Sequence, residues 1–167
     1  MPLTEEEFLS LPEFTGRQEF RDGELIELLP TKFKHSELVH RFYELLRATV
    51  EDSRVWMEAA FPLRKNRWAF PDVCVTWPEQ PVVDGWLHGS PRIPIELASR
   101  GYTPDQLQEK VTDYLLYGAA EVWVIYPKSH TMLVHRPDSV VSIAADATYH
   151  CEMIGVAVTP EYRTEIE

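Results

Sequence analysis

Cysteine is almost absent from this 167-residue chain: Cys74 and Cys151 lie far apart, and no CxxC spacing occurs. That excludes a disulfide framework and gives no zinc signature, so two reduced, buried thiols are expected. No apolar run approaches the ~20 residues needed to span a bilayer. The opening MPLTEEEFLSL carries acids where a secretory signal carries basic residues ahead of an apolar core, and a cytoplasmic protein is therefore expected. No internal repeat, low-complexity tract or domain boundary interrupts the chain, which reads as a single domain over residues 1–167. Cations are scarce too. Lys and Arg number 16 against 27 Asp and Glu, a formal net charge of −11. Surfaces that track nucleic-acid phosphates draw on clustered cations, so such a role here needs a local patch or a divalent metal to offset the acidic average.

What is present is an ordinary globular composition, 44% apolar and 26% charged, long enough to bury a substantial core. Thr4 and Glu7 match a capping box, predicting a short helix from Glu5 to Leu11. Asp22-Gly23 between Arg17–Phe20 and Glu24–Leu28 is the signal of a two-residue hairpin. Leu38, Phe42, Leu45 and Leu46 recur at helical spacing within residues 34–49, and His35 projects onto the same stripe in the first turn. The acidic pair Glu51-Asp52 then ends this helix. Val55–Leu63 and Trp68–Trp77 read as an antiparallel pair around the basic turn Arg64-Lys65-Asn66-Arg67, usually a solvated turn but here beside the strand that bears Asp72. Residues 78–91 read as a loop, a lid or a subunit contact, with Val82, Val83, Trp86 and Leu87 needing cover. A strand over Arg92–Ala98 precedes a helix from Thr103 or Pro104 to Tyr117, ended by Gly118. Glu121–Tyr126 and Met132–His135 form an apolar hairpin; Val140–Ala144 and Ile154–Val158 are expected as strands, and the last residues as a frayed end.

Side chains alternate along a strand, so Asp72, Cys74 and Thr76 share one face of PDVCVTW, as Pro94, Glu96 and Ala98 share one face of IPIELAS. If the two strands are neighbours, Asp72 and Glu96 converge. Two desolvated carboxylates repel each other unless a cation lies between them, and a hard divalent ion such as Mg²⁺ or Mn²⁺ resolves that conflict. The plainer alternative is a pair of polar positions on a solvated sheet face. On the following helix Leu107, Val111, Tyr114 and Leu115 make the apolar face, with Lys110 at its margin and Glu109 and Asp113 toward solvent. A marginal lysine often only snorkels, but from a helix packed across the sheet its ammonium reaches the carboxylates.

These residues carry a resemblance. PDV, then IELAS, then EK..DYL.YGA.EVWVIYP, preceded by DGELIEL and the His35 helix, resemble a large bacterial family of putative restriction endonucleases within the PD-(D/E)xK nuclease superfamily, over roughly residues 15–135. The resemblance implies an α/β (α+β) restriction-endonuclease-like fold, a mixed twisted sheet flanked by helices. It implies Asp72 and Glu96 as Mg²⁺ (or Mn²⁺) ligands and Lys110 as a relocated catalytic lysine, since the usual E-x-K position holds Ala98. Glu27 and His35 match the family's N-terminal acid and histidine, Glu27 as a further metal ligand and His35 as a supporting or phosphate-contacting group. The implied activity is Mg²⁺-dependent endonucleolytic hydrolysis of DNA, with no membrane partner. The net charge and the apolar loop around Trp86 keep a second expectation open, a catalytically inactive, nuclease-derived interaction protein that forms a homodimer. Hydrolysis of a small phosphate or nucleotide also suits the acidic surface, and an acid-pair glycosidase suits the rest of the chain less well.

Overall fold

The computed structural model describes residues 1–12, 18–27, 32–50, 54–98 and 102–160. Thr4 closes its capping box with Glu7, starting α1 (Glu5–Leu9), whose Phe8 stacks on Phe20 at 4.8 Å. The Asp22-Gly23 turn joins β1 (Gln18–Arg21) to β2 (Glu24–Glu27), both residues at positive φ as a tight hairpin demands. Helix α2 (Phe33–Thr49) buries Leu38, Phe42 and Leu46 of the expected stripe together with Val39, while Leu45 is half-buried. Its expected end at Glu51-Asp52, the residues flanking the hairpin at Arg17 and Leu28, and the C-terminal tail lie outside the described residues.

The segment from Val55 to Trp77 corrects the simple hairpin. It forms β3 (Val55–Met57), β4 (Phe61–Arg64), β5 (Arg67–Ala69) and β6 (Val73–Val75), and both arms change sheet midway. The first arm breaks at Glu58, which adopts φ +52°, and the second at Phe70-Pro71, where proline has no ladder donor to give. β4 and β5 join β1 and β2 in a four-stranded sheet of order β2-β1-β5-β4. β3 and β6 instead join the main sheet with β9 (Ile93–Leu97), β10 (Val122–Tyr126), β11 (Thr131–Arg136) and β12 (Ser139–Ile143), in the order β12-β11-β10-β9-β6-β3. Residues 78–91 are not wholly irregular, since β7 (Val82–Val83) and β8 (Trp86–Leu87) make a small hairpin whose Trp86 meets Trp68 edge-on at 4.9 Å.

The main sheet is mixed: β9 and β10 are parallel, and the other pairs antiparallel. Helix α3 (Pro104–Leu116), capped by Thr103 and Gln106, makes the crossover that a parallel pair requires. Alternation along the strands sorts the core into two layers. Val73, Val75, Ile93 and Ile95 pack with Phe42 and Leu46 of α2 and with the hairpin β13 (Tyr149–Cys151) and β14 (Val156–Val158). Cys74, Val122 and Val124 face the other way, against Leu107, Val111 and Tyr114 of α3 and Phe61, Leu63 and Ala69 of the smaller sheet. Cys74 and Cys151 are free and buried. Among the described residues no helix is long and apolar enough to cross a membrane.

Candidate active site

Antiparallel pairing sets Val73 opposite Ile95, and the same register carried one residue further sets Asp72 opposite Glu96. Asp72 Oδ2 accepts the Leu97 backbone N–H at 2.9 Å, which ties the β6 end to β9. Both acids are buried, Asp72 at 3% and Glu96 at 1% exposure. The neighbouring strand and the facing helix therefore bring together the three residues singled out from spacing: Asp72, Glu96 and Lys110.

Lys110 is not marginal. It lies 2% exposed on α3, and Nζ donates to Glu96 Oε1 at 2.8 Å, to Glu19 Oε1 at 2.7 Å and to the Tyr102 hydroxyl at 2.9 Å, with the Tyr102 ring centroid 4.6 Å away. All three ammonium donors are thus used. Glu96 Oε1 also accepts from the Tyr114 hydroxyl at 2.8 Å, and Glu19 Oε1 from the Phe70 backbone N–H at 3.1 Å. The second oxygens differ. Glu96 Oε2 and Glu19 Oε2 are buried without a hydrogen-bond partner among the described residues, although Arg21 Nη2 stands 3.9 Å from Glu19.

Burial pushes the Glu96 carboxyl up, to about 7, against the pull of the Lys110 ammonium, with Asp72 and Glu19 adding repulsion. Burial works equally against the Lys110 ammonium, but the Glu19 and Glu96 carboxylates outweigh it and hold that group well above its ordinary value. Burial, reinforced by Glu96, likewise raises the Tyr114 phenol, so it stays a donor.

Glu19 joins the cluster although nothing in the sequence singled it out, and Glu27, which the resemblance implies as a further ligand, faces the other way. Within the β1–β2 ribbon Glu19 pairs with Ile26, whereas Glu27 pairs with Gln18; cross-strand partners share a face, so the two acids point to opposite faces. Glu19 is 1% exposed, and Glu27 is exposed on an edge strand. The Asp22-Gly23 turn fixes the pairing that separates the two acids, but β1 is buried on both faces, so the turn does not mark the face that holds the cluster. His35, in the first turn of α2, places Nε2 3.4 Å from Asp72 Oδ1 and shares a small cleft of about 140 Å³ with Asp72, Met57 and Glu58.

The two arginines of the basic turn are held in ion pairs. Arg64 and Arg67 both bond Asp22, and Arg67 also reaches Asp113 at 2.8 Å, so Asp113 is half-buried in an ion pair rather than turned to solvent. Glu109 is exposed and meets Arg21 at 2.6 Å. Among the described residues no three His, Cys, Asp or Glu side chains are grouped to hold a metal by themselves. A carboxylate pair with one unpartnered buried oxygen nevertheless suits a hard divalent ion that completes its shell with a backbone carbonyl, water and phosphate.

None of the curated proteins compared with this chain matches it significantly. Among solved structures the fold is similar to that of a putative nuclease of the DUF820 group from Anabaena variabilis, with a TM-score of 0.83 and 22% identity over 96% of each chain. A family model described as a putative restriction endonuclease matches residues 5–155. The chain belongs to that family, Uma2.

Proposed function

We propose that this protein is a metal-dependent endonuclease that hydrolyses DNA phosphodiester bonds, with Mg²⁺ or Mn²⁺ held by Asp72 and Glu96. The observation that carries this reading is the pair of buried carboxylates in register on adjacent strands, one with an oxygen that has no partner among the described residues and a pKa raised to about 7. Membership of a restriction-endonuclease family supports it. When bound, the cation would polarise a phosphate oxygen and lower the pKa of an attacking water.

The chain's own residues do the rest. His35 and the Leu97 N–H hold the Asp72 carboxylate in place. Lys110 supplies the positive charge that the missing E-x-K lysine would give from position 98, reaching the Glu96 carboxylate from α3 instead of from β9. There it stabilises negative charge building on the phosphate as water adds to phosphorus and the opposite P–O bond breaks. Glu19 and Tyr102 are positioning residues, fixing the ammonium from two further directions.

Calorimetric titration tests the site. Mn²⁺ binds the wild type, and Asp72→Ala weakens binding at least about tenfold. In assays on supercoiled, linear, branched and single-stranded DNA, Lys110→Ala loses the cleavage that the wild type shows. Equal Mn²⁺ affinity in wild type and Asp72→Ala would refute the site. A stable dimer that binds no divalent ion would favour the inactive interaction protein, a reading supported by the full engagement of Lys110 and by exposed Val82, Val83 and Trp86.

A further inference from the structure

A second cleft, of about 300 Å³, opens beside the carboxylate cluster, between α3 and the face of β9, β10 and β11. Ala98 and Tyr126 bring the carboxyl ends of the parallel strands β9 and β10 to its wall, and Thr103 and Pro104 bring the first turn of α3. Ligands of open α/β sheets bind in this kind of crevice, outside the carboxyl ends of parallel strands. Tyr102 belongs to both places: it lines the cleft, and its hydroxyl accepts from Lys110 Nζ. A ligand in the cleft is therefore one side chain away from Lys110.

The lining narrows the ligand's chemistry. His135 is 8% exposed, lines the cleft and has no hydrogen-bond partner among the described residues. Neither ring nitrogen is sealed from solvent, so each is open to pairing with a ligand. Burial also holds the imidazole below its usual pKa, so near neutral pH it carries one N–H donor and one bare acceptor rather than a positive charge. Among the described residues no Lys or Arg lines the cleft. Tyr102 and Tyr126 add aromatic surface, on which bases stack regardless of their sequence. A flat, neutral ring with donors and acceptors on its edge satisfies all three conditions, and it suits a protein of net charge −11.

We propose that this cleft is a base-binding subsite that takes one unpaired nucleobase of the substrate strand, so that the enzyme acts on single-stranded or locally opened DNA. This rests on the nuclease reading, but its test does not need turnover. Nucleoside 5′-monophosphates are titrated into the metal-free protein while the His135 and Tyr126 ring resonances are followed by NMR. Saturable shifts at both rings are expected. Deoxyribose 5-phosphate, which lacks the base, should leave them unmoved. His135→Phe keeps the ring volume but removes both nitrogens and should weaken binding about tenfold, read at Tyr126; Tyr126→Ala, read at His135, should weaken it by a similar factor. Absent or unsaturable shifts, or equal binding of deoxyribose 5-phosphate, would overturn the subsite. Titrating Mn²⁺ into the same samples separates the two readings. Metal binding without base binding removes the subsite alone, and base binding without metal binding removes the hydrolytic reading alone.

Discussion

Two buried glutamates on neighbouring strands of one sheet show how differently a core can treat a carboxylate. Glu121, immediately before β10, is 2% exposed and fully partnered: Oε1 accepts from Tyr149 at 2.6 Å and Arg136 at 3.1 Å, and Oε2 from Trp123 at 2.8 Å, with Cys151 Sγ at 3.7 Å. Those bonds pin the β13–β14 hairpin to the sheet. Glu96 on β9 is as deeply buried but places all its bonds on one oxygen and leaves the other bare. Satisfied buried networks specify a fold, whereas a group left unsatisfied calls for a ligand or a role. Burial alone therefore does not separate these two acids; the inventory of their oxygens does.

The largest effect expected from this contrast is at Lys110. Lys110→Met removes the only cation among the described residues within hydrogen-bond distance of both Glu19 and Glu96 and leaves two buried carboxylates facing each other, at a cost of about 3–5 kcal/mol in urea unfolding. Because the unpaired carboxylates now invite a cation, millimolar Mn²⁺ should recover part of that loss. A cost below about 1 kcal/mol would mean that the acids simply take up protons and that the ammonium is not what holds the cluster together. Next comes Glu121→Ala, which strands the Tyr149 hydroxyl and the Trp123 indole N–H and should cost about 2–3 kcal/mol. Amide exchange should speed up in Tyr149–Cys151, with Mn²⁺ affinity unchanged. A fall in Mn²⁺ affinity would show that the two networks are not separate.

The same contrast explains what could be read from the sequence. Strand alternation in PDVCVTW and IPIELAS was enough to put Asp72 and Glu96 on one face, because both strands are short, apolar and central. The α2 stripe and the capped α3 were legible for the same reason, local periodicity matched to one buried face. What failed depended on contacts distant in sequence. Lys110 looked marginal because helical spacing shows only one partner, whereas α3 is covered on two sides, by the main sheet and by Phe61, Leu63 and Ala69. Glu19 stayed hidden because its role comes from a four-stranded sheet whose existence depends on both arms of the Val55–Trp77 segment changing sheets. The break at Glu58 leaves no glycine or proline there to announce it. Glu121 gave no signal, since all its partners but Trp123 arrive from β11 and β13, 15 to 30 residues away.

The smallest and most discriminating effect is in the pH dependence of stability. The Glu96 carboxyl titrates at about 7 in the folded protein against 4.5 for an ordinary glutamate, with burial the leading cause. Between those values the folded protein keeps a proton that the unfolded chain has released, so low pH favours folding. That contribution is fully present below 4.5 and is lost as pH rises through about 7. In metal-free buffer, urea unfolding from pH 5 to 8 should therefore show wild-type stability declining relative to Glu96→Gln, which has no such proton, by at most about 1.4 kcal/mol per pH unit. The Gln variant keeps the carbonyl that accepts from Lys110 and Tyr114, so the slope is separated from the loss of packing. Parallel pH profiles would mean that Glu96 is already ionised at pH 5 and that the Lys110 ammonium outweighs burial. Glu96 would then be a paired structural acid like Glu121, and the bare oxygen would lose its claim on a metal.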